Sequence, residues 1–496
     1  MQQSTAEEQP LDVAVIGGGV AGSYVACQLA NRRSEWTIGL FERAERIGGR
    51  LLSLRLPGID DVRAELGGMR YRTSQPLVTA LIDELGLQTR PFLTLHDDNR
   101  FFLRGTRWCA GSAGDAATAY RLAEAERGLS PGELLIAAFN RVVPGASMLS
   151  DEEWVRVKRE HRFGDRPLRD WSMRDLLAAI LSPEGHRYVV DGFGYATLLG
   201  DRNAADAIPW VLIEARPESE NRTLVGGLER LPRELAGRLE AAGGKVHLQS
   251  ALVGFENEAT LFRLHFDRRQ VVLARRVVLA VPRRSLDLIT RRTPLLAAPE
   301  SQSLIASVTA HPAAKLFLAY DRAWWRDLGI KGTRAVCDLP LSKIYYFDQR
   351  NGSMQDRPAL LLASYSDGPS RTEWNSLSAR TALPPDSGPI GSESRWQSYA
   401  ASVEQVAEAQ RQLRALHEND DIPDPIASAF MDWGSDPFGG AWHVWNVHSR
   451  SWDVIPRIIQ PLRGYELYIC GEAYTWSQGW VEGALESADR VLARLI

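Results

Sequence analysis

Val13-Ala-Val-Ile-Gly-Gly-Gly-Val-Ala-Gly22 is a short apolar run that ends in G-x-G-x-x-G, with Gly17, Gly19 and Gly22 in the glycine places. The pattern predicts a buried strand that turns sharply into a helix over Ala21–Asn31. The first glycine permits the turn, the second lets backbone approach a pyrophosphate, and the third lets helix and strand pack closely. The helix start then offers unpaired N–H groups and a positive dipole end to phosphate. A second predicted strand, Thr37 to Phe41, leads into Glu42, twenty residues past Gly22. A carboxylate there can accept from both ribose hydroxyls, so the segment predicts a dinucleotide site, with Arg43 beside it.

Working outward, Ile47-Gly-Gly-Arg50 follows the adenosine-binding strand. Two glycines allow close backbone approach, and Gly49 with Arg50 places a cation near the pyrophosphate. This moves the expectation from a nicotinamide to a flavin. A solvated surface arginine is the plainer alternative for Arg50.

The bulk composition is that of an ordinary soluble globular protein, with 24% charged and 44% hydrophobic residues and a formal charge of −4. It gives no reason to invoke nucleic acid or an anionic membrane. The 496 residues exceed one hydrophobic core, so two or three domains are expected. Four scattered cysteines without a C-x-x-C pair argue against a zinc site or a disulfide framework, and fit a reducing compartment. The polar N-terminal decapeptide does not read as a signal peptide, and no apolar run reaches eighteen residues. A cytoplasmic protein that holds no metal is the expectation.

Helical patterns begin at Pro131 and Ser172, and a polar loop is expected over Ser376–Ser394. Strands are expected at 245–249, 261–266, 276–282, 314–320, 343–347, 359–365 and 466–472, and a closing helix from about Trp480 to Ile496. The order predicts an α/β fold with a Rossmann-like FAD-binding domain made of discontinuous segments, a mixed-sheet substrate domain and a helical insertion. The expected boundaries are 1–73, 225–305 and 455–496 for the first, 74–110 and 306–454 for the second, and 111–224 for the third.

Five segments together resemble the flavin-containing amine oxidase family, with the bacterial L-amino-acid oxidases as the nearest branch. They are the glycine fingerprint, Gly48-Gly-Arg50, Glu65-Leu-Gly-Gly-Met-Arg-Tyr71, Val278-Leu-Ala-Val-Pro282, and Cys470-Gly-Glu-Ala-Tyr474 with Gly479-Trp-Val-Glu-Gly483. The likeness is weakest over 110–220 and near 385. It implies FAD, held non-covalently because no cysteine in the C-terminal motif stands where a flavin thioether would form. It also implies oxidative deamination of an L-amino acid by hydride transfer from Cα to flavin N5, with oxygen reduced to hydrogen peroxide, and often a homodimer.

The resemblance carries over to particular residues. Gly67, Gly68 and Met69 would lie close to the flavin ring, and Arg70 would clamp the substrate carboxylate; an internal ion pair with Glu65 is the alternative. Lys315, one of only five lysines, stands in an apolar strand and would hold a water at flavin N5; a lysine reaching out to solvent is the alternative. Tyr365 would bind carboxylate beside Arg70 or simply pack. Trp480, after Gly479, would wall the site, and Trp442 is a second wall or a core residue. Glu472 would face the cofactor's ribityl or pyrophosphate region, Trp480 and Val481 would also contact the cofactor, and Leu252 would contribute backbone to its adenine.

His443 and His448 are not expected to act as bases, because a neutral amine needs none from the protein. Asp201, Asp367 and Asp432 are the acids available to a basic substrate side chain. Oxidation of a simple amine or polyamine, oxidative decarboxylation to an amide, and a non-catalytic flavin-bound scaffold are the competing readings.

Overall fold

The computed structural model describes residues 9–94, 96–213, 219–331, 333–347, 357–378, 395–435 and 439–496. The first eight residues of the polar N-terminus and most of the expected polar loop, 379–394, lie outside them.

Strand Leu11–Ile16 stands at the middle of a seven-stranded sheet. Its parallel neighbours are Ile38–Phe41 on one side and the long strand Val271–Leu279 on the other. Lys245–His247 extends the first side in parallel. The long strand has two partners along its far edge. Leu261–Phe266 pairs antiparallel with its beginning, and Leu467–Ile469 pairs parallel with its end. Three distant stretches of chain thus build one sheet.

Period-two alternation explains the two cores of this sheet. Val13 and Val15 face helices Val20–Arg32 and Val481–Leu495, while Ala14 and Ile16 face Leu286, Ile455 and Ile458. The strand at Val271–Leu279 starts earlier than its pattern suggests, because residues 271–274 take their pairing from a hairpin neighbour. The closing strand is shorter than expected, since only Leu467–Ile469 reaches the ladder. The first helix matches the expected span within a residue at each end.

A second seven-stranded sheet is mixed. Its order runs 427–432, 313–320, 359–367, 343–347, 334–337, 100–103, 106–109, antiparallel except between Arg334–Cys337 and Arg100–Leu103. Strand Ala313–Tyr320 is buried along its whole length. Its even positions face helix Val403–His417, with Leu316 and Leu318 against Leu413. Phe317 and Ala319 face the segment Leu52–Met69. Lys315 is directly opposite Tyr365 in register. A bulge between Leu316 and Phe317 shifts that register, so Tyr365 joins the face carrying Leu360 and Leu362.

Five α-helices between Pro131 and Leu212 enclose a separate apolar core around Phe139, Leu176 and Tyr188. Their starts are written locally. Ser130 with Glu133 and Ser150 with Glu153 form reciprocal caps, and Ser172 and Ser182 accept N–H groups of the next turn. Each such cap stabilises a helix by about 1 kcal/mol. None of the four cysteines is in a disulfide. No helix among the described residues is long and apolar enough to cross a membrane.

Candidate active site

The carboxyl ends of the parallel strands converge, as ligand sites in open α/β sheets do. Gly17, Glu42, Ala280 and Gly471 follow four of them and line one cavity of about 640 Å³. The glycines are required by space. A Cβ on Gly17, at φ +111°, would lie 2.4 Å from the Ala280 carbonyl oxygen, and one on Gly22 would lie 1.9 Å from that of Gly17. Gly22 therefore closes helix onto strand and does not line the cavity. Gly19, at the mouth of the helix, meets nothing closer than the Cα of Gly49 at 3.8 Å. That opening lets a pyrophosphate reach the helix N-terminus.

Glu42 accepts from the backbone N–H of Gly18 and of Ala44, each at 2.7 Å. Both bonds fix the carboxylate at the cavity wall and leave acceptor sites for ribose hydroxyls. Arg43, Leu252 and Val481 line the same space, as do Gly49 and Arg50. The residues fit an adenine dinucleotide, with the shape and donors that FAD needs.

Arg50 is no solvated surface residue. Its guanidinium donates to the Glu472 carboxylate and, at 3.2 Å, to the Ala441 carbonyl. Glu472 also accepts from Gly479 N–H at 2.8 Å and bonds His443 Nδ1 at 2.5 Å. Burial alone would raise this carboxyl, but Arg50, His443 and the Gly479 N–H together hold it well below the usual carboxylate range. His443 is thus a buried partner of Glu472. His448 is elsewhere, exposed and bonded to Asp170 at 3.0 Å.

A second, smaller cavity of about 130 Å³ opens beside the first and shares Arg50, Gly68, Arg70, Ala441, Gly479 and Trp480 with it. Gly67 and Met69 belong to this smaller space alone, with Lys315, Tyr365 and Trp442. The Arg70 guanidinium is 5.8 Å from the ring centres of both Phe92 and Trp480, and donates to Tyr345 Oη at 3.4 Å. Glu65 is held by Ser53 Oγ at 2.6 Å and Leu228 N–H at 2.9 Å.

Lys315 does not reach solvent. It is buried, and its Nζ donates to the carbonyls of Glu65, at 2.9 Å, and Gly67. It also sits 4.6 Å from the centre of the Tyr365 ring. Burial pulls its pKa down to about 7, with Glu65 opposing and Arg70 adding to the shift. Burial pushes the Glu65 carboxyl up to about 7.

Tyr195 and Trp210, from the helical region, complete the walls and were not singled out from sequence. Tyr195 meets the Tyr365 ring edge-on at 5.0 Å, and Trp210 Nε1 donates to the Gln478 carbonyl at 2.7 Å. The indole N–H groups of Trp442 and Trp480 are buried and have no acceptor among the described residues. Trp442 is therefore a wall as well as a packed residue. Among the described residues none of those lining this cavity is an acid. Asp201 is exposed and pairs with Arg174, Asp432 is held bidentately by Arg371, and Asp367 accepts from Thr197.

The comparisons agree with this geometry. The family model described as flavin containing amine oxidoreductase matches residues 21–383 and 390–496. Aplysianin-A of Aplysia kurodai is 29% identical, over 99% of this chain and 92% of that protein. Achacin of Lissachatina fulica is 25% identical, over 98% and 93%. An L-amino-acid oxidase of Mus musculus is 25% identical, over 98% and 71%. In fold, the chain is similar to wild-type putrescine oxidase bound to putrescine, with a TM-score of 0.72 at 17% identity, covering 98% of this chain and 99% of that one. The chain belongs to the flavin-containing amine oxidase family, and FAD is its cofactor.

Proposed function

We propose that this chain oxidatively deaminates L-amino acids to 2-oxo acids, releasing ammonia and hydrogen peroxide. The observation that carries the reading is Arg70, a guanidinium that lines both cavities and is 5.8 Å from the ring centres of Phe92 and Trp480. A planar fork at that point suits a carboxylate, which a simple amine lacks. FAD, when bound, supplies the two-electron acceptor that the side chains do not.

The chain's own groups divide the remaining work. Arg70 binds the carboxylate, with the Tyr365 hydroxyl as a second donor. Lys315 holds a positive charge beside Gly67, and its pKa near 7 lets it hold or release a proton at Nζ near neutrality. Trp442, Trp480 and Tyr195 exclude water from the reacting carbon. An aromatic wall without an acid favours apolar over basic side chains.

The reading also includes non-covalent FAD, a homodimer in the cytoplasm, and the three-part division of the chain set out above. Cys470 supports non-covalent binding: burial pushes its thiol up to about 12, and it packs in the core rather than on a cavity wall. The test is ammonia and peroxide release with L-amino acids against their decarboxylated amines. Equal turnover of the amines would place the protein among amine oxidases.

A further inference from the structure

A third cavity, of about 400 Å³, shares no lining residue with the other two. It lies between the segment Ser53–Arg55 and the start of helix Arg230–Ala241, and it is lined by Arg55, Arg63, Arg230, Arg233 and Arg395. Two carboxylates, Glu229 and Glu234, also line it.

Three of these five arginines have a carboxylate partner, and Arg63 and Arg233 hydrogen-bond none among the described residues. Glu229 is already committed. Arg395, itself 3% exposed, holds it with two bonds of 3.0 Å, Arg46 reaches it at 3.4 Å, and Ser53 N–H donates to it at 3.1 Å. Glu234 meets Arg230 at 3.4 Å. Arg55 pairs with Asp60. Among the described residues Arg63 donates to the carbonyls of Asp60 and Val62, with Glu65, Asp60 and Asp61 as its acidic neighbours, and Arg233 has Glu229 and Glu234 as its acidic neighbours.

The local backbone adds to the positive field. The helix begins here with Glu229 at its N-cap; its first turn contains no acid, and no side chain caps its N–H groups. Gly226, at φ +88°, leaves room for Arg230, because a Cβ there would lie 3.1 Å from Arg230 Cδ. Desolvation lowers the pKa of Arg63 and Arg233; Arg55 adds to it at Arg63 against Glu65, Asp60 and Asp61, and Arg395 and Arg230 add to it at Arg233 against Glu229 and Glu234.

We propose that this cavity is a binding site for a small, multiply charged oxyanion. Guanidinium forks bind such oxygens bidentately, and the volume falls within the range of small-ligand sites. Glu229 joins the site to the flavin cavity, since Arg46 on its other side donates to the Gly49 carbonyl at 2.7 Å. The anion is an oligophosphate or phosphate ester, or a polycarboxylate; the two share the same oxygen chemistry.

The experiment is calorimetric titration of the FAD-saturated protein at low ionic strength, with inorganic tripolyphosphate in one arm and citrate in the other. Excess FAD keeps the pyrophosphate site filled. The proposal expects one arm to bind with a Kd below about 1 mM, and Arg230→Ala/Arg233→Ala to weaken it at least about tenfold. The variant should keep the visible flavin spectrum and its turnover without anion. If the double variant loses FAD, Arg233→Ala at its exposed position is used, with weakening in the same direction expected. Binding in neither arm, or equal binding by the variants, overturns the proposal.

Discussion

Lys315 Nζ donates to the backbone carbonyl of Glu65 at 2.9 Å, and so ties the mixed sheet to the segment that carries Arg70. Both side chains are buried, and burial brings both pKa values to about 7 from opposite sides. The Lys315 value is depressed, so between pH 7 and 10.5 the unfolded chain binds the extra proton and stability rises with pH. The Glu65 value is raised, so its favourable contribution is complete below 4.5 and is lost as pH rises to 7. Replacing Lys315 by Met should therefore remove an alkaline gain of at most about 1.4 kcal/mol per pH unit. Melting curves of FAD-loaded wild type and Lys315→Met from pH 7 to 10 check this: the difference should move toward the wild type as pH rises. A constant difference would mean that Lys315 is not the titrating group.

The same variant should lower oxygen consumption with a saturating amino acid by at least about tenfold while FAD remains bound. Oxygen-electrode traces beside the flavin spectrum separate the two. Unchanged consumption would leave Lys315 a structural tie between sheet and segment.

Glu472 gives a prediction of the same sign at acid pH. Its carboxyl is held low by Arg50, His443 and Gly479, so its contribution is complete above about 4.5 and declines as pH falls through its folded value. Glu472→Gln should release FAD more readily at pH 7, and its stability deficit should shrink on acidification from about pH 5 to about pH 3. Flavin fluorescence during thermal melts reports both effects. A deficit that does not shrink would show that the carboxylate's charge is not what Arg50 needs.

Gly22→Ala should abolish FAD retention, because its Cβ would lie 1.9 Å from the Gly17 carbonyl oxygen. Gly237→Ala is the contrast: nothing stands within 4 Å, and the residue is inside helix Arg230–Ala241. It should leave flavin content unchanged and raise stability by up to about 1 kcal/mol. Flavin-to-protein absorbance ratios and melting curves compare them.

The parts of the site readable from sequence were those whose chemistry is local. Gly17, Gly19 and Glu42 sit in one strand–helix–strand unit, and their spacing states their geometry. Lys315 stood out because an isolated cation in an apolar strand has few places to go. Tyr365 was harder: strict alternation puts it on the face of Leu361, and only the bulge turns it toward Lys315. Tyr195 and Trp210 carry no local signal, since an aromatic residue in a helical region reads as packing. The Arg50–Glu472–His443 cluster joins Arg50 to a carboxylate 422 positions away and exists only once the sheet closes.

Arg70 carries the central claim, and anaerobic flavin bleaching tests it most directly. FAD-loaded wild type and Arg70→Ala are mixed with an apolar L-amino acid and with its decarboxylated amine. The account predicts rapid bleaching of the wild type by the amino acid alone, and a loss of about 10- to 150-fold in second-order bleaching rate for Arg70→Ala, the size of one charge-assisted contact. Bleaching of the wild type by the amine as fast as by the amino acid, with no effect of Arg70→Ala, would contradict it.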